Sequence, residues 1–412
     1  IVPGAMPMNI VSLKFDNDFN QLLFPGCLPI SLVSLEFGNC YDTMFLANSL
    51  PNSINNIKFG TYFNRELNAG ILPSSLKSLE LGFYYNRVIL PGVLPSTLEQ
   101  LIFGKCYNQE LRIGTLPPNI NYLSFGDYFN QPIVGSLPTS LTTLSFGHTF
   151  NHPLPIGSLP FTLTNLTCGN SFNQPLAPTL ISTSIQSLSL GYQYNHQLDT
   201  STISSLKSLS LGNNFIHVNT LSNLKATTLI LGNVDQLISL RQEQLSLLST
   251  LSFHRQFNEV IPMGALDSIK DLKFGTCFNQ PLPSGVLPTS LTKLELGDVY
   301  FSNCSLPINV QSLVLKSMLQ LQCFGASISQ VESVTIHMKE EDLSSIPTFN
   351  IPIRMIHLDY PQLNITHQPI QMGIKSLIQS ITNAQTYKIT YGQCDHTPFQ
   401  TSTRKVSPGQ AI

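Results

Sequence analysis

The sequence predicts a mainly β repeat solenoid of about 17 coils of ~22 residues, stacked around one parallel sheet with little helix. Three observations carry this. One phrase, Leu-Pro-Thr-Ser-Leu-Thr-Thr-Leu-Ser-Phe-Gly-His-Thr-Phe-Asn-His-Pro-Leu at 137–154, recurs with small changes along most of the 412 residues. The register is regular. The apolar residue before the glycine falls at Phe15, Phe37, Phe59, Leu81, Phe103 and Phe125, 22 residues apart. It continues in steps of 19 to 22 through Phe146, Cys168, Leu190, Leu211, Leu231, Phe253, Phe274, Leu296, Leu315, Ile336 and Leu358. Finally, a unit this short cannot bury its own apolar face, so neighbouring units must stack, leucine on leucine.

Each column of the repeat has its own physical job. Leu76, Leu79 and Leu81 stand three and two residues apart, which suits a short strand entered from a bend. Alternation places Leu79 and Leu81 on one face and Glu80 on the other. Proline in almost every early copy argues against helix. The glycine after the strand (Gly38, Gly60, Gly82, Gly104, Gly126, Gly147) marks a position needing positive φ or close backbone approach. Three residues on comes a ring, as in Phe63, Tyr85, Tyr107, Phe129, Phe150 and Phe172. Stacked coil on coil, these rings form an interior spine. The next column is Asn64, Asn86, Asn108, Asn130, Asn151, Asn173 and Asn195. A carboxamide both donates and accepts, so it can bridge backbone groups of successive coils. Asp42 interrupts that column, and an ionised Asp cannot donate, so the ladder is expected to weaken there.

The phrases Phe-Asn-Gln-Pro-Leu at 172–176 and 278–282, and Phe-Asn-Gln-Pro-Ile at 129–133, together with the Leu-Pro-x-Ser-Leu opening, resemble the FNIP repeats of social amoebae and some giant viruses. That family is related to leucine-rich repeats. The resemblance covers residues 1 to about 300 and thins beyond. It implies a curved right-handed coil, with the parallel sheet on the concave face and extended or polyproline-like segments on the convex one. One departure is the Asn, five residues after the last strand position and so two later than in the ordinary leucine-rich motif, which implies a turn of different shape. Family members are sometimes attached to F-box or kinase segments; neither is visible in this sequence.

Composition narrows the function classes. Charged residues are 11% and the formal net charge is −2, against roughly 25% charged in soluble domains. No basic stripe is available to neutralise phosphates, so nucleic acid is not an expected partner. No apolar run is long enough to span a membrane. Ile1 to Pro7 aligns with Ile89 to Pro95, so the sequence opens in the second half of a repeat, and upstream sequence is expected. The eight Cys include no C-x-x-C pair. Cys40, Cys106 and Cys277 share the position two after the glycine, and Cys168 replaces a strand Phe; all four are read as small buried side chains. Thiol usage favours a reducing, cytoplasmic setting, against three glycosylation-type sequons at Asn165, Asn303 and Asn364.

Along the chain, residues 1–318 read as the solenoid, with irregular copies at 203–253. There Ile216 and Gln236 replace the column Asn, and Arg241 to Gln244 points to a bulge or short helical turn. Residues 319–394 read as degenerate repeats and a C-terminal cap, with a solvated charged loop at Lys339 to Asp342, a helix near Ile374 to Ile381 and a closing strand at Tyr387 to Tyr391. Residues 395–412 read as a frayed polar tail.

No P-loop, G-x-G-x-x-G, H-E-x-x-H, G-x-S-x-G or Cys/His metal spacing is present. The sequence therefore reads as non-enzymatic, with no cofactor and no metal. What remains is the outward face of the strands. Lys14, Glu36, Lys58 and Glu80 form an alternating charge ladder, followed by Ile102 and Ser124, with Tyr122 as an exposed aromatic anchor beside Ile102. The expected function is a protein-binding scaffold whose concave face grips a protein partner of unknown identity. Two other readings stand beside it: the substrate receptor of an F-box type ubiquitin ligase, and an extracellular module for glycan binding or adhesion.

Overall fold

The computed structural model describes residues 1–133, 135–178, 180, 183–199, 205–337, 355–360, 386–391 and 400–405. They fall in two compact units, Ile1–Leu224 and Lys225–Ile412. The first carries ten three-residue strands: β1 (Ser12–Lys14), β2 (Ser34–Glu36), β3 (Asn56–Lys58), β4 (Ser78–Glu80), β5 (Gln100–Ile102), β6 (Tyr122–Ser124), β7 (Thr143–Ser145), β8 (Asn165–Thr167), β9 (Ser187–Ser189) and β10 (Ser208–Ser210). Each pairs in parallel with the next in one unbroken register, so that Leu35 lies opposite Ile57 and Leu79 opposite Leu101.

The second unit continues the pattern with β11 (Thr228–Leu231), β12 (Thr250–Phe253), β13 (Asp271–Lys273), β14 (Lys293–Glu295), β15 (Ser312–Leu315), β16 (Ser333–His337), β17 (Met355–Tyr360) and β18 (Thr386–Tyr391). These also pair in parallel in chain order. Strands β1 to β17 match the register positions read from the sequence one for one. The polar tail differs from expectation. Gln400–Lys405 forms β19, antiparallel to β18. The last parallel strand presents a row of unpaired backbone groups, and β-branched Thr401 and Thr403 suit a strand that covers it. The expected loop at Lys339 to Asp342 and helix near Ile374 to Ile381 lie outside the described residues.

Alternation sorts the side chains. In β4, Leu79 is buried between half-buried Ser78 and Glu80, and Leu81 turns inward again. One coil sends Leu72, Leu76, Leu79, Leu81, Tyr85 and Ile89 inside. The ring column stacks along the coils at 5.9 Å for Phe63–Tyr85, 6.2 Å for Tyr107–Phe129 and 6.0 Å for Phe150–Phe172, all nearly parallel. A closer stack runs within the coils whose strand residue is Phe. Phe59 meets Phe63 at 3.9 Å and Phe125 meets Phe129 at 3.9 Å, so strand ring and turn ring fill the core together.

The Asn column forms a ladder, but only half of each carboxamide defines it. The side-chain oxygens of Asn64, Asn86 and Asn108 accept from the backbone N–H of Asn86, Asn108 and Asn130 at 2.9–3.0 Å. Asn130, Asn151 and Asn173 repeat this with Asn151, Asn173 and Asn195. Asp42 therefore does not break the ladder: its carboxylate accepts from Asn64 N–H at 2.9 Å and its own N–H donates to the Asn20 oxygen. The column side chain accepts, from backbone N–H and from the neighbouring Gln amides, so an acceptor-only side chain serves. Replacing Asn108 by Ala should cost about 0.5–1.5 kcal/mol by removing the acceptor of the Asn130 N–H. Asn108→Asp should cost less than half of that, as urea unfolding of the two variants would show.

A second ladder uses the hydroxyl of the Leu-Pro-x-Ser-Leu opening. Ser31, Thr97, Ser140 and Thr162 donate to carbonyls of Ile10, Leu76, Ile120 and Leu141 in the preceding coil at 2.6–2.9 Å.

Helical segments appear in the two coils whose ladder residue is Gln, and a further 3₁₀ turn, Val218–Asn223, follows Ile216 at that position. Gln236 and Gln320 occupy the Asn position, are fully buried and cap the backbone of their own coil. Their side-chain oxygens accept from Gly232 N–H at 2.8 Å and Lys316 N–H at 2.7 Å. Gln320 also donates to the Gly297 carbonyl of the coil before. Behind them the chain coils into a short α-helix, Val234–Ile238, and a 3₁₀ segment, Met318–Gln330, kinked at Gly325. The short helical turn expected near Arg241 is the helix Gln242–Leu247. The segment after Ser317 was not expected; its Ser317–Gln320 capping box is a readable helix start.

Candidate protein-interaction surface

The outward side chains of β1 to β6 lie on one face of the first unit's sheet. Strand register sets Lys14 opposite Glu36, Glu36 opposite Lys58, Lys58 opposite Glu80, Glu80 opposite Ile102 and Ile102 opposite Ser124. The charges close into two ion pairs, Lys14–Glu36 and Lys58–Glu80, each at 3.0 Å. Both are solvent-washed, so each adds at most ~1 kcal/mol to stability. An open groove of about 490 Å³ runs along these side chains and the glycines beyond them. Tyr122 lies on the same face but is half-buried rather than open. Its strand partners Gln100 and Thr143 flank it on both sides, and Ile102 is its diagonal, not direct, neighbour.

Beyond the strand the chain keeps pairing. The glycine column has ordinary φ, and a Cβ on Gly60, Gly82, Gly104 or Gly126 would overlap the carbonyl of the glycine one coil earlier. Close approach, not positive φ, is what this column requires. Positive φ belongs to a second column, in the Pro-Gly, Ala-Gly or Ile-Gly turn, at Gly26, Gly70, Gly92 and Gly114, where Asn48 takes the same role.

The close approach lets a further set of inter-coil hydrogen bonds form two residues on. Tyr62, Tyr84, Cys106 and Tyr128 donate their backbone N–H to the carbonyls of Asn39, Thr61, Phe83 and Lys105 at 2.9–3.0 Å. Their side chains consequently point out. Cys40 and Cys277 are exposed and Cys106 half-exposed, contrary to the buried reading, whereas Cys168 is buried as expected. Burial pushes the Cys168 thiol up to about 12. All seven described cysteines are free thiols.

Sequence reasoning missed the aromatic rim this creates. Tyr62 is 54% exposed, Phe83 40%, Tyr84 45% and Tyr128 52%. Tyr62 and Tyr84 stack at 5.4 Å, and Phe83 meets Tyr84 edge-on at 4.7 Å. Lys105 lies over the Phe83 ring at 5.6 Å and pairs with Asp127 at 3.0 Å; the Asp127 hydrogen bond holds its ammonium above the ordinary range. The signal was available in the sequence, because Tyr recurs at 62, 84 and 128 in one register position.

In the second unit the outward charges converge on Glu295, reached by Lys316 at 2.9 Å and Lys273 at 3.0 Å. Burial opposes ionisation of Glu295, and the two lysines overcome it, leaving the carboxyl below its ordinary range. Among the described residues no three His, Cys, Asp or Glu side chains converge as metal ligands, and no helix is long and apolar enough to cross a membrane. Asn165 and Asn303 are exposed; Asn364 lies outside the described residues.

Comparison with known proteins agrees with this architecture. The chain is similar to the crystal structure of CroV588, a circular leucine-rich repeat protein, at 29% identity and a TM-score of 0.51, over 88% of this chain and 58% of that one. It thus spans little more than half of that protein's length. Weaker likenesses are to the functional domain of InlJ from Listeria monocytogenes, which includes a cysteine ladder (13% identity, TM-score 0.38, 86% of this chain and 75% of that one). Another is to a leucine-rich repeat protein from Bacteroides ovatus (13% identity, TM-score 0.14, 92% of this chain and 84% of that one). No curated protein matches the sequence. The FNIP Repeat family matches residues 1–40, 41–84, 63–106, 107–149, 150–181, 172–214 and 257–299, which is more than half of the chain. The unmatched stretch 215–256 contains the helices Val234–Ile238 and Gln242–Leu247, where Gln replaces the ladder Asn. Period, ladder and family match converge, and the chain belongs to the FNIP repeat family.

Proposed function

We propose that this protein is a non-enzymatic scaffold that binds another protein through the outward face of its parallel sheet. The observation that supports this most is the regular array of outward side chains on β1 to β6, held in one register, with Lys14, Glu36, Lys58, Glu80, Ile102, Tyr122 and Ser124 on a single face. A rigid array lowers the entropic cost of binding, because its side chains are already placed before the partner arrives. Ion pairs across such a face contribute little to stability but set register and exclude wrong partners.

The test is Glu36→Lys with Glu80→Lys. Reversal leaves Lys14 and Lys58 beside new cations, and should weaken a partner recovered with the full chain by about tenfold or more. The fold should be nearly undisturbed, with at most ~1 kcal/mol lost per pair. Equal affinity of the wild-type and reversed chains, measured by titration calorimetry, removes this face from the function.

A further inference from the structure

We infer that the aromatic rim beside the sheet, Tyr62, Phe83, Tyr84 and Tyr128, is a docking site for a short, extended, uncharged polypeptide segment bearing apolar side chains. This deepens the scaffold reading and rests on it. Three of these exposed rings, Tyr62, Phe83 and Tyr84, meet at Tyr84, and Tyr128 continues the same register position two coils on; Tyr in particular is enriched where proteins bind proteins. The rings do not sit on a floppy loop. Each of Tyr62, Tyr84 and Tyr128 is anchored by its own backbone hydrogen bond to the preceding coil, so the rim is ordered before any ligand arrives.

Charge selects the class of partner. The ions bordering the rim are already neutralised in pairs, Lys58 by Glu80 and Lys105 by Asp127. An acidic or basic segment would have to break one of these pairs to be recognised, whereas an uncharged one leaves them intact as a polar border.

Ring orientation selects polypeptide over glycan. Tyr62 and Tyr84 lie face to face with an interplanar angle of 15°, and Lys105 covers one face of Phe83. A sugar ring stacks on an open aromatic face. With one face of each of these three rings occupied, their edges, which carry the positive end of the quadrupole, and the Tyr hydroxyls are the polar contacts they offer. A backbone that offers a carbonyl at every residue meets both. Length follows from the coil spacing. The rim spans three coil steps, roughly 14 Å at ~4.8 Å per step, which four or five extended residues at ~3.3 Å each would cover.

A random peptide library displayed on phage, selected on the full-length chain, tests this. Selected peptides should share an uncharged apolar core of four or five residues and bind equally at low and high salt. Their affinity, read by fluorescence anisotropy, should fall about tenfold or more in Phe83→Ser with Tyr84→Ser. Tyr128→Lys serves as a second variant, and thermal unfolding confirms that both remain folded. Charged, salt-sensitive peptides, or affinities unaltered in both rim variants, would overturn the inference. So would binding of neutral glycans on an array that the same variants abolish. If Glu36→Lys with Glu80→Lys removes peptide binding while the rim variants do not, the rim fails and the sheet-face reading stands. If neither set alters it, both fail.

Discussion

Gly104→Ala should destabilise the first unit by more than about 4 kcal/mol, in the extreme tail of single substitutions. The new Cβ would fall on the Gly82 carbonyl and press on the Leu81 carbonyl behind it. Both are backbone atoms fixed by the stacking of two coils, so no side chain can rotate away to relieve the overlap. Opening the coils by the width of a methyl group would pull the inter-coil bonds at Tyr84, Cys106 and Tyr128 out of range. Gly92→Ala provides the comparison. Gly92 has a φ of +81° and open space where a Cβ would stand, so its substitution should cost only the left-handed penalty, roughly 1–2 kcal/mol. Hydrogen exchange resolves the difference coil by coil, which matters in a stack whose units unfold semi-independently. Equal losses in the two variants would refute close approach as the reason for the column.

Phe129→Ala should cost about 3–5 kcal/mol, the range for removing a buried ring from a core that relaxes only partly. Phe129 is fully buried and meets three rings, Phe125 at 3.9 Å in its own coil and Tyr107 and Phe150 at 6.2 and 6.1 Å in the neighbouring ones; through Phe125 the stack continues to Phe103 and Phe146. Tyr85→Phe, in the same column, should leave stability within about 1 kcal/mol of wild type or raise it. The Tyr85 hydroxyl is buried without a hydrogen-bond partner, and burial drives its pKa upward. The ring holds the column together and the hydroxyl does not, and calorimetric melting of the pair separates the two contributions.

The architecture was legible because it is written many times over. Period, alternation and the ring column each predicted the interior, and the strands follow them. The errors fall where a residue's job depends on an inter-coil contact. Cys40, Cys106 and Cys277 looked buried by residue type, but the backbone bonds that follow the glycine column turn that position outward, and only the neighbouring Tyr62, Tyr84 and Tyr128 carried a hint of it. Asp42 looked like a defect because the ladder was read as using the amide donor, when it uses the oxygen. Gln236 read as decay of the repeat; it is a longer side chain that turns inward within a short helix capped by Asn233. On the candidate surface, register placed the charge ladder correctly on one face, while the exposure of Tyr122 depended on its flanking strand neighbours, Gln100 and Thr143.

The side-chain ladders also give the stack a polarity. In the first unit the Asn oxygens, the Ser and Thr hydroxyls and the Gln amides bond between coils in one sense, with the later coil donating and the earlier coil accepting. Every coil therefore has a head and a tail of different chemistry, like a monomer in a polar filament. Whole coils can be gained or lost without altering any junction, because each new tail meets the same head it replaces. By the same rule two such stacks match only end to end in one direction, and a coil inserted from an unrelated repeat fits only if it offers an acceptor where this one has Asn.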